Sequence, residues 1–313
     1  MGANNWNAHT FTFPPIINII HGGGAMAENH LICFSSASHA VVQARLSQSA
    51  TRFNMRVRCY TQRWLRHTEF YRTNRRILDQ SRLAGYDLWK PYIILETLRS
   101  IPKHDIVAYL DCDHVLTDKL DTVLDLCNRA QPILVFGSHG HKSVLERERT
   151  KRDCFVLMGC DNALYYDTVQ AAGGFFACRN DPDAVDFVKD WLNFCTDERI
   201  LTDMPNVMGL PNLEGYVEHR HDQSVLSLLA KRSSLPMYRF PSEKTNYLKM
   251  PAFRVPGEYL AEPYSVEPME NSPYGTLLAG NLPFMKNSVY LRHRRICSMI
   301  SGGMRRIFKC TGN

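Results

Sequence analysis

Two short motifs in this chain place oxygen-bearing side chains at spacings that can do chemistry. The first is Asp111-Cys112-Asp113, which follows the apolar run Ile106-Val107-Ala108-Tyr109-Leu110. Two carboxylates one residue apart, at a strand exit, can reach a single hard cation. Mg²⁺ and Mn²⁺ prefer such oxygens and keep positions free for phosphate. An Asp-x-Asp alone is also a common solvated turn, so its setting decides. The second is Asp222-Gln223. A carboxylate beside a carboxamide can face a developing oxocarbenium charge or act as base towards a hydroxyl. Asp222 would also suit the cap of the helix that follows it.

Other residues could complete a site. Lys90 would meet a diphosphate as a cation, whereas its neighbour Trp89 reads as a core anchor. Gly173 and Gly174 would let the backbone approach a ligand closely, or form an ordinary tight turn. Ser35 ends the first strand, at the edge where such sheets bind ligands. His219 and His221 flank Asp222-Gln223 and would contact phosphate or acceptor, or sit on the surface. The charged, His-rich stretch from Ser138 to Asp153 reads as a loop or exposed helix. Its Arg149, Lys151, Arg152 and Asp153 are candidates for donor or acceptor contacts, or a solvated face.

The elements that must position these residues alternate in type. Leu31-Ile32-Cys33-Phe34 reads as a strand, and Ser38 would cap a helix carrying Val41, Val42, Leu46 and Phe53. Met55 to Tyr60 alternates as a strand, and a basic helical stretch follows. Pro91 suits the first turn of a helix with Ile93, Ile94, Leu95 and Leu98 on one side. Next come the strand before Asp111, a helix marked by Leu120, Val123, Leu124 and Cys127, and the strand Ile133-Leu134-Val135-Phe136. This order predicts an α/β fold with a mostly parallel central sheet flanked by helices. Ligands bind such sheets beyond the carboxyl ends of the strands, which is where Asp111 and Asp113 fall. Residues 1–30 read as an N-terminal arm, 31–240 as one catalytic domain, and 241–313 as an irregular C-terminal segment with a basic tail.

The ordered motifs resemble glycosyltransferases of the GT-A fold that carry the DXD motif. They are Leu88-Trp89-Lys90-Pro91, then Tyr109-Leu110-Asp111-Cys112-Asp113-His114, then Gly173 to Asn180 with Trp191, and last His221-Asp222-Gln223-Ser224-Val225-Leu226. Together they span roughly residues 31 to 232 and are similar to retaining galactosyl- and mannosyltransferase-type families. The resemblance implies a GT-A-like, Rossmann-like sheet, Mn²⁺ or Mg²⁺ on Asp111 and Asp113, and a UDP- or GDP-linked sugar donor. It also implies retention of anomeric configuration and an acceptor hydroxyl on a glycan, glycolipid or glycoprotein. By the same resemblance a His late in the chain supplies a further metal ligand, and His293 is the candidate. Asp222 and Gln223 match the pair at the reacting centre, and Gly173-Gly174 fall beside the donor sugar or acceptor.

Composition sets outer bounds. Net charge is +6, with basic clusters over Arg56–Arg82 and in the tail from Arg292 to Lys309. Phosphate-bearing ligands and anionic surfaces both suit that balance. The tail alternates basic with apolar residues and would touch a membrane peripherally. Ten cysteines without a Cys-x-x-Cys pair fit buried free thiols in a reducing compartment, so a cytoplasmic location is expected. No apolar run reaches the ~20 residues of a membrane-spanning helix. A nucleotidyltransferase would carry a Gly-rich phosphate loop after the first strand, and none follows it. A hydrolase with paired acids would leave the Asp-x-Asp unexplained. The remaining alternatives are a catalytically inactive sugar- or nucleotide-binding relative and, with only the Arg-rich stretch near Trp64 behind it, a nucleic-acid binder.

Overall fold

The computed structural model describes residues 27–137, 144–242 and 277–280. The N-terminal arm to residue 26, the basic tail and His293 lie outside the described residues. Six strands form the main sheet: β1 (Asn29–Ser35), β2 (Arg56–Thr61), β3 (Ile106–Leu110), β5 (Ile133–Phe136), β6 (Phe175–Arg179) and β7 (Met237–Tyr238). Their spatial order is β2-β1-β3-β6-β5-β7. Two further strands, β4 (His114–Leu116) and β8 (Leu278–Gly280), pair antiparallel beside it. Thus the C-terminal segment contributes at least one strand.

Strand direction is the feature that builds the site. β1 pairs parallel with β2 and β3, and β5 pairs parallel with β7. The strand β6 runs against both β3 and β5. The sheet is therefore mixed but mostly parallel. Because β6 is reversed, its first residue lies opposite the last residue of β3, with Phe175 registered on Leu110. The chain entering β6 through Gly173-Gly174 thus meets the chain leaving β3 into Asp111, and the Asp111 amide donates to the Gly174 carbonyl at 2.9 Å.

Side chains alternate between the two faces of the sheet, as strand geometry requires. On one face Ile32, Phe34, Val107, Tyr109, Phe176 and Cys178 share a core with three helices. These are α2 (Trp89–Ser100), α3 (Pro182–Cys195) and α4 (His221–Arg232). On the other, Leu31, Cys33, Ala108, Leu110, Phe175 and Ala177 pack with Leu46 and Ala50 of α1 (Ala40–Arg52). Each fully buried Leu, Ile or Phe contributes about 1.5–3 kcal/mol, so the two apolar layers supply most of the stabilisation. Ser38 does not cap α1. It lies in a 3-10 turn, Ala37–His39, that leads into the helix, and its hydroxyl contacts Ser36 and His39. The helix α3 starts as its sequence suggests, with Asp181 at the N-cap and Pro182 in the first position.

Candidate active site

The reversal of β6 and the start of α4 surround a cleft of about 180 Å³, with Asp87, Lys90, Asp111, Gly173, Gly174, Asp222 and Gln223 in its walls. The sequence separates these residues by up to 136 positions, and the sheet brings them to one end.

Lys90 sits at the centre. It is 3% exposed, and its Nζ lies 2.8 Å from Asp222 Oδ2, 3.6 Å from Asp87 Oδ2 and 3.9 Å from Asp111 Oδ1. The same ammonium donates to the Gly173 carbonyl at 3.2 Å and stands 5.3 Å from the centre of the Tyr109 ring. Burial alone would lower its pKa. Asp222, then Asp87 and Asp111, more than reverse that, so Lys90 stays charged above the ordinary lysine range. Burial raises Asp222 to about 6 even though Lys90 opposes the shift. Asp87 is raised too, by burial first, with Lys90 again opposing and the charges of Asp222 and Asp111 adding to it. One cation thus holds three carboxyl groups around the cleft.

Backbone devices fix these side chains. Asp222 lies in the first turn of α4, and the buried Trp191 indole on α3 donates to its carbonyl at 3.1 Å. The Asp222 carboxylate faces Lys90, and the N-cap position falls to Arg220, so Asp222 is a first-turn residue and not the cap. Asp87 closes an unusual segment. Leu83, Ala84, Gly85, Tyr86 and Asp87 all have positive φ, between 47° and 97°. L-residues visit this region singly, at a cost of roughly 1–2 kcal/mol each. A left-handed run beside a cleft marks strain concentrated where ligands act. Nothing in the residue types of this segment beyond Gly85 announces it, and Asp87 is a site residue that sequence reasoning missed.

Asp111 receives a 2.5 Å hydrogen bond from the Tyr109 hydroxyl. Burial, and then the Asp111 charge, keep that phenol protonated by raising its pKa well above the usual value. Asp111 and Asp113 remain 41% and 42% exposed, which leaves oxygens accessible to solvent at the strand exit. Asp113 pairs with His114 Nδ1 at 2.8 Å and lies outside the cleft wall itself. Gly174 and Gly173 leave room for the site side chains. A Cβ on Gly174 would stand 3.0 Å from Asp111 Oδ2, and one on Gly173 would stand 3.0 Å from Gln223 Cβ.

Several sequence candidates are held by neighbouring groups, and of these His219 and His221 also line the cleft. The buried Ser35 hydroxyl donates to Gln43 Oε1 at 2.8 Å, under α1. His219 is not on the surface. It is buried, receives the Lys151 amide on Nδ1 and donates from Nε2 to the Ile200 carbonyl. His221 is likewise buried, donating from Nδ1 to the Leu201 carbonyl and accepting from Arg82 on Nε2. Burial pushes both imidazoles below their ordinary pKa, which suits these neutral tautomers. The stretch read as an exposed charged loop is largely interior over its described part. Lys151 Nζ holds the carbonyls of Thr202 and Met204, and Asp153 accepts the amides of Val207 and Met208. Arg152 pairs with Asp161 and Arg149 with Glu218. These contacts tie down the loop over residues 202–220, next to the cleft.

Among the described residues Glu28, His30 and Asp105 also approach one another. Glu28 precedes β1, His30 lies in it and Asp105 precedes β3, at the opposite end of the strands from Asp111. Their polar atoms are already spent: His30 bonds Asp105 at 2.9 Å, and Glu28 pairs with Arg56.

No family profile and no curated protein matches the chain. Among solved structures it is similar to glycosyltransferases. One is the galactosyltransferase LgtC in complex with donor and acceptor sugar analogs, at 14% identity over 82% of this chain and 87% of that one, with a TM-score of 0.37. Another is mouse xyloside xylosyltransferase 1, at 10% identity over 82% of this chain and 98% of that one, TM-score 0.39. A third is a glycosyltransferase involved in glycosylation of the major capsid of PBCV-1, at 11% identity over 61% of this chain and 82% of that one, TM-score 0.33.

Proposed function

We propose that this protein is a divalent-metal-dependent glycosyltransferase that moves a sugar from a UDP- or GDP-linked donor to a hydroxyl on a glycan, glycolipid or glycoprotein. The observation that carries the reading is the convergence of Asp111, Gly173-Gly174, Lys90 and Asp222-Gln223 on one cleft at the carboxyl end of β3. The order of these motifs along the sequence, which resembles DXD glycosyltransferases, supports it further.

The residues fit the metal. Asp111 and Asp113 supply hard, accessible carboxylate oxygens, the ligand type that Mn²⁺ and Mg²⁺ take. Such an ion, when bound, neutralises charge on a departing diphosphate. His293 would add a ligand by resemblance to the family. The protein's own groups do the rest. Tyr109 holds Asp111 in place through its hydroxyl. The glycine pair lets the donor approach the backbone. The cleft volume of about 180 Å³ is below the ~300 Å³ of whole-ligand pockets, a size for the sugar end of the donor and not its nucleotide. Asp222, held by Lys90, accepts sugar hydroxyls, and Gln223 turns an amide oxygen towards the developing positive charge. Retention of anomeric configuration rests on the resemblance to retaining families.

The test is thermal stabilisation by UDP and by GDP, each with and without Mn²⁺. A ligand at 100 times its dissociation constant adds about 2.7 kcal/mol. A metal-dependent shift with one nucleotide, abolished by Asp113→Ala, is the expected result. No shift with either nucleotide would leave a catalytically inactive relative as the better reading.

A further inference from the structure

Below the cleft lies a buried polar chain that the transfer reaction as proposed does not use. Glu146 and Lys231 form an ion pair at 2.6 Å, 85 residues apart, with side chains 0% and 2% exposed. The fully buried Gln170 stands between this pair and Gln223. Its Nε2 lies 3.1 Å from Glu146 Oε2, 3.2 Å from Thr150 Oγ1 and 3.2 Å from Ser224 Oγ. Its Oε1 accepts from Gln223 Nε2 at 2.8 Å.

The polarity of this chain is determined step by step. A carboxylate has only acceptor positions. The Thr150 hydroxyl spends its hydrogen on Glu146 at 2.8 Å, and the Ser224 hydroxyl spends its own on the Arg149 carbonyl at 2.9 Å. All three groups facing that end of Gln170 therefore accept, so its NH₂ must point there, with two hydrogens shared among the three. Its oxygen must then face Gln223. Since Gln170 offers an acceptor there, Gln223 must present its own NH₂ inwards, and its Oε1 is left for the cleft beside Gly173. Reversing either amide would set two acceptors against each other in a buried site.

We propose that Gln170 is a positioning residue that fixes the Gln223 amide with its oxygen towards the cleft, using the Glu146–Lys231 pair as a fixed reference. The inference rests on the glycosyl-transfer reading for its consequence. An amide oxygen favours a developing oxocarbenium, and an amide NH₂ in the same place opposes it. The geometric part stands without that reading.

The experiment uses full-length protein labelled with ¹⁵N-glutamine, with the Gln223 carboxamide signals identified by their loss in Gln223→Ala. In the wild type one Gln223 amide proton should be protected from exchange with water. That protection should disappear in Gln170→Leu and in Gln170→Asn, the second keeping the site polar in case the first fails to fold. An exposed, unprotected Gln223 amide in the wild type, or protection unchanged in either variant, overturns the proposal. Kinetics add the consequence, read as nucleotide release from UDP-glucose, UDP-galactose or GDP-mannose with Mn²⁺. Gln170→Asn should lower kcat tenfold or more with KM nearly constant, and should do no further harm in a Gln223→Ala background. Independent losses that multiply would mean Gln170 acts otherwise, and overturn the proposal. If Gln223→Ala leaves turnover intact while the amide result holds, the transfer reading fails and the positioning remains.

Discussion

The chemistry of the cleft turns on how a buried lysine divides its charge among acids. Asp222 titrates near pH 6 because burial outweighs the attraction of Lys90. A carboxyl with a higher pKa in the folded chain than in the unfolded one holds its proton more tightly when folded. Its contribution to stability is full below the unfolded value and is lost as pH rises through about 6. Asp222→Asn cannot titrate, so its stability relative to wild type should improve between about pH 4 and about pH 7, by on the order of 3 kcal/mol. Urea unfolding of both proteins across that range checks the sign, and an unchanging gap would show that Asp222 has an ordinary pKa. Donor turnover should fall in the opposite sense, as acid below about pH 6 removes the Asp222 charge. A second residue-scale prediction concerns Gly174. Its alanine variant places a methyl 3.0 Å from Asp111 Oδ2, so nucleotide binding with Mn²⁺ should weaken at least tenfold while the unliganded melting point changes little. Titration calorimetry and a melting curve separate the two effects. At this scale the sequence shows Lys90, Asp111 and Asp222 by residue type and by the elements around them. It does not show that Ser35 is turned under α1 or that Gln170 matters, because both facts depend on neighbours distant in sequence.

Among elements, the reversed strand does most to assemble the site. Periodicity marks Phe175–Arg179 as a strand, but an apolar run reads the same in either direction, so the sequence could not say that β6 opposes β3. The left-handed segment from Leu83 to Asp87 was hidden for a related reason. Its residues carry no helix-breaking signature apart from Gly85, and the contacts that hold them, such as the Trp89 indole on the Leu83 carbonyl and Lys90 on Asp87, appear only in the folded chain. Gly85 has φ +97°, and a Cβ there would stand 2.7 Å from the Leu78 backbone. Gly85→Ala should therefore destabilise the protein by about 1–3 kcal/mol or more, measured by denaturant midpoint. It should also weaken donor binding, because Asp87 ends the same segment. A variant as stable as wild type would mean that the segment relaxes to an ordinary turn. The start of α4 was legible only as a helix beginning near His221. The Trp191 indole that holds the Asp222 carbonyl comes from α3, 31 residues away. Trp191→Phe should lower kcat for donor turnover as well as stability.

For the whole molecule, the two carboxylates proposed to hold the metal stand apart from the apolar layers. Asp111 and Asp113 lie outside both cores and stay about two-fifths exposed. Chelation of divalent ions should consequently leave the melting point of the nucleotide-free protein unchanged, yet remove all stabilisation by nucleotide. Melting curves with and without EDTA decide this, and a large drop on chelation alone would make the metal structural. Alternating strands and helices made the layered architecture readable from the sequence, and the thiols belong to those same layers. Cys127, Cys154, Cys160, Cys178 and Cys195 are buried, with burial pushing Cys127 and Cys160 up to about 12 and the other three well above their ordinary value. Cys59, by contrast, is exposed, and the hydrogen bond from Cys33 brings it down to about 7. Among the described thiols an alkylating reagent at neutral pH would therefore modify Cys59 ahead of these five. Each later label mapped to one of the five would time the breathing of the layer that holds it, a built-in set of stopwatches that needs no engineered probe.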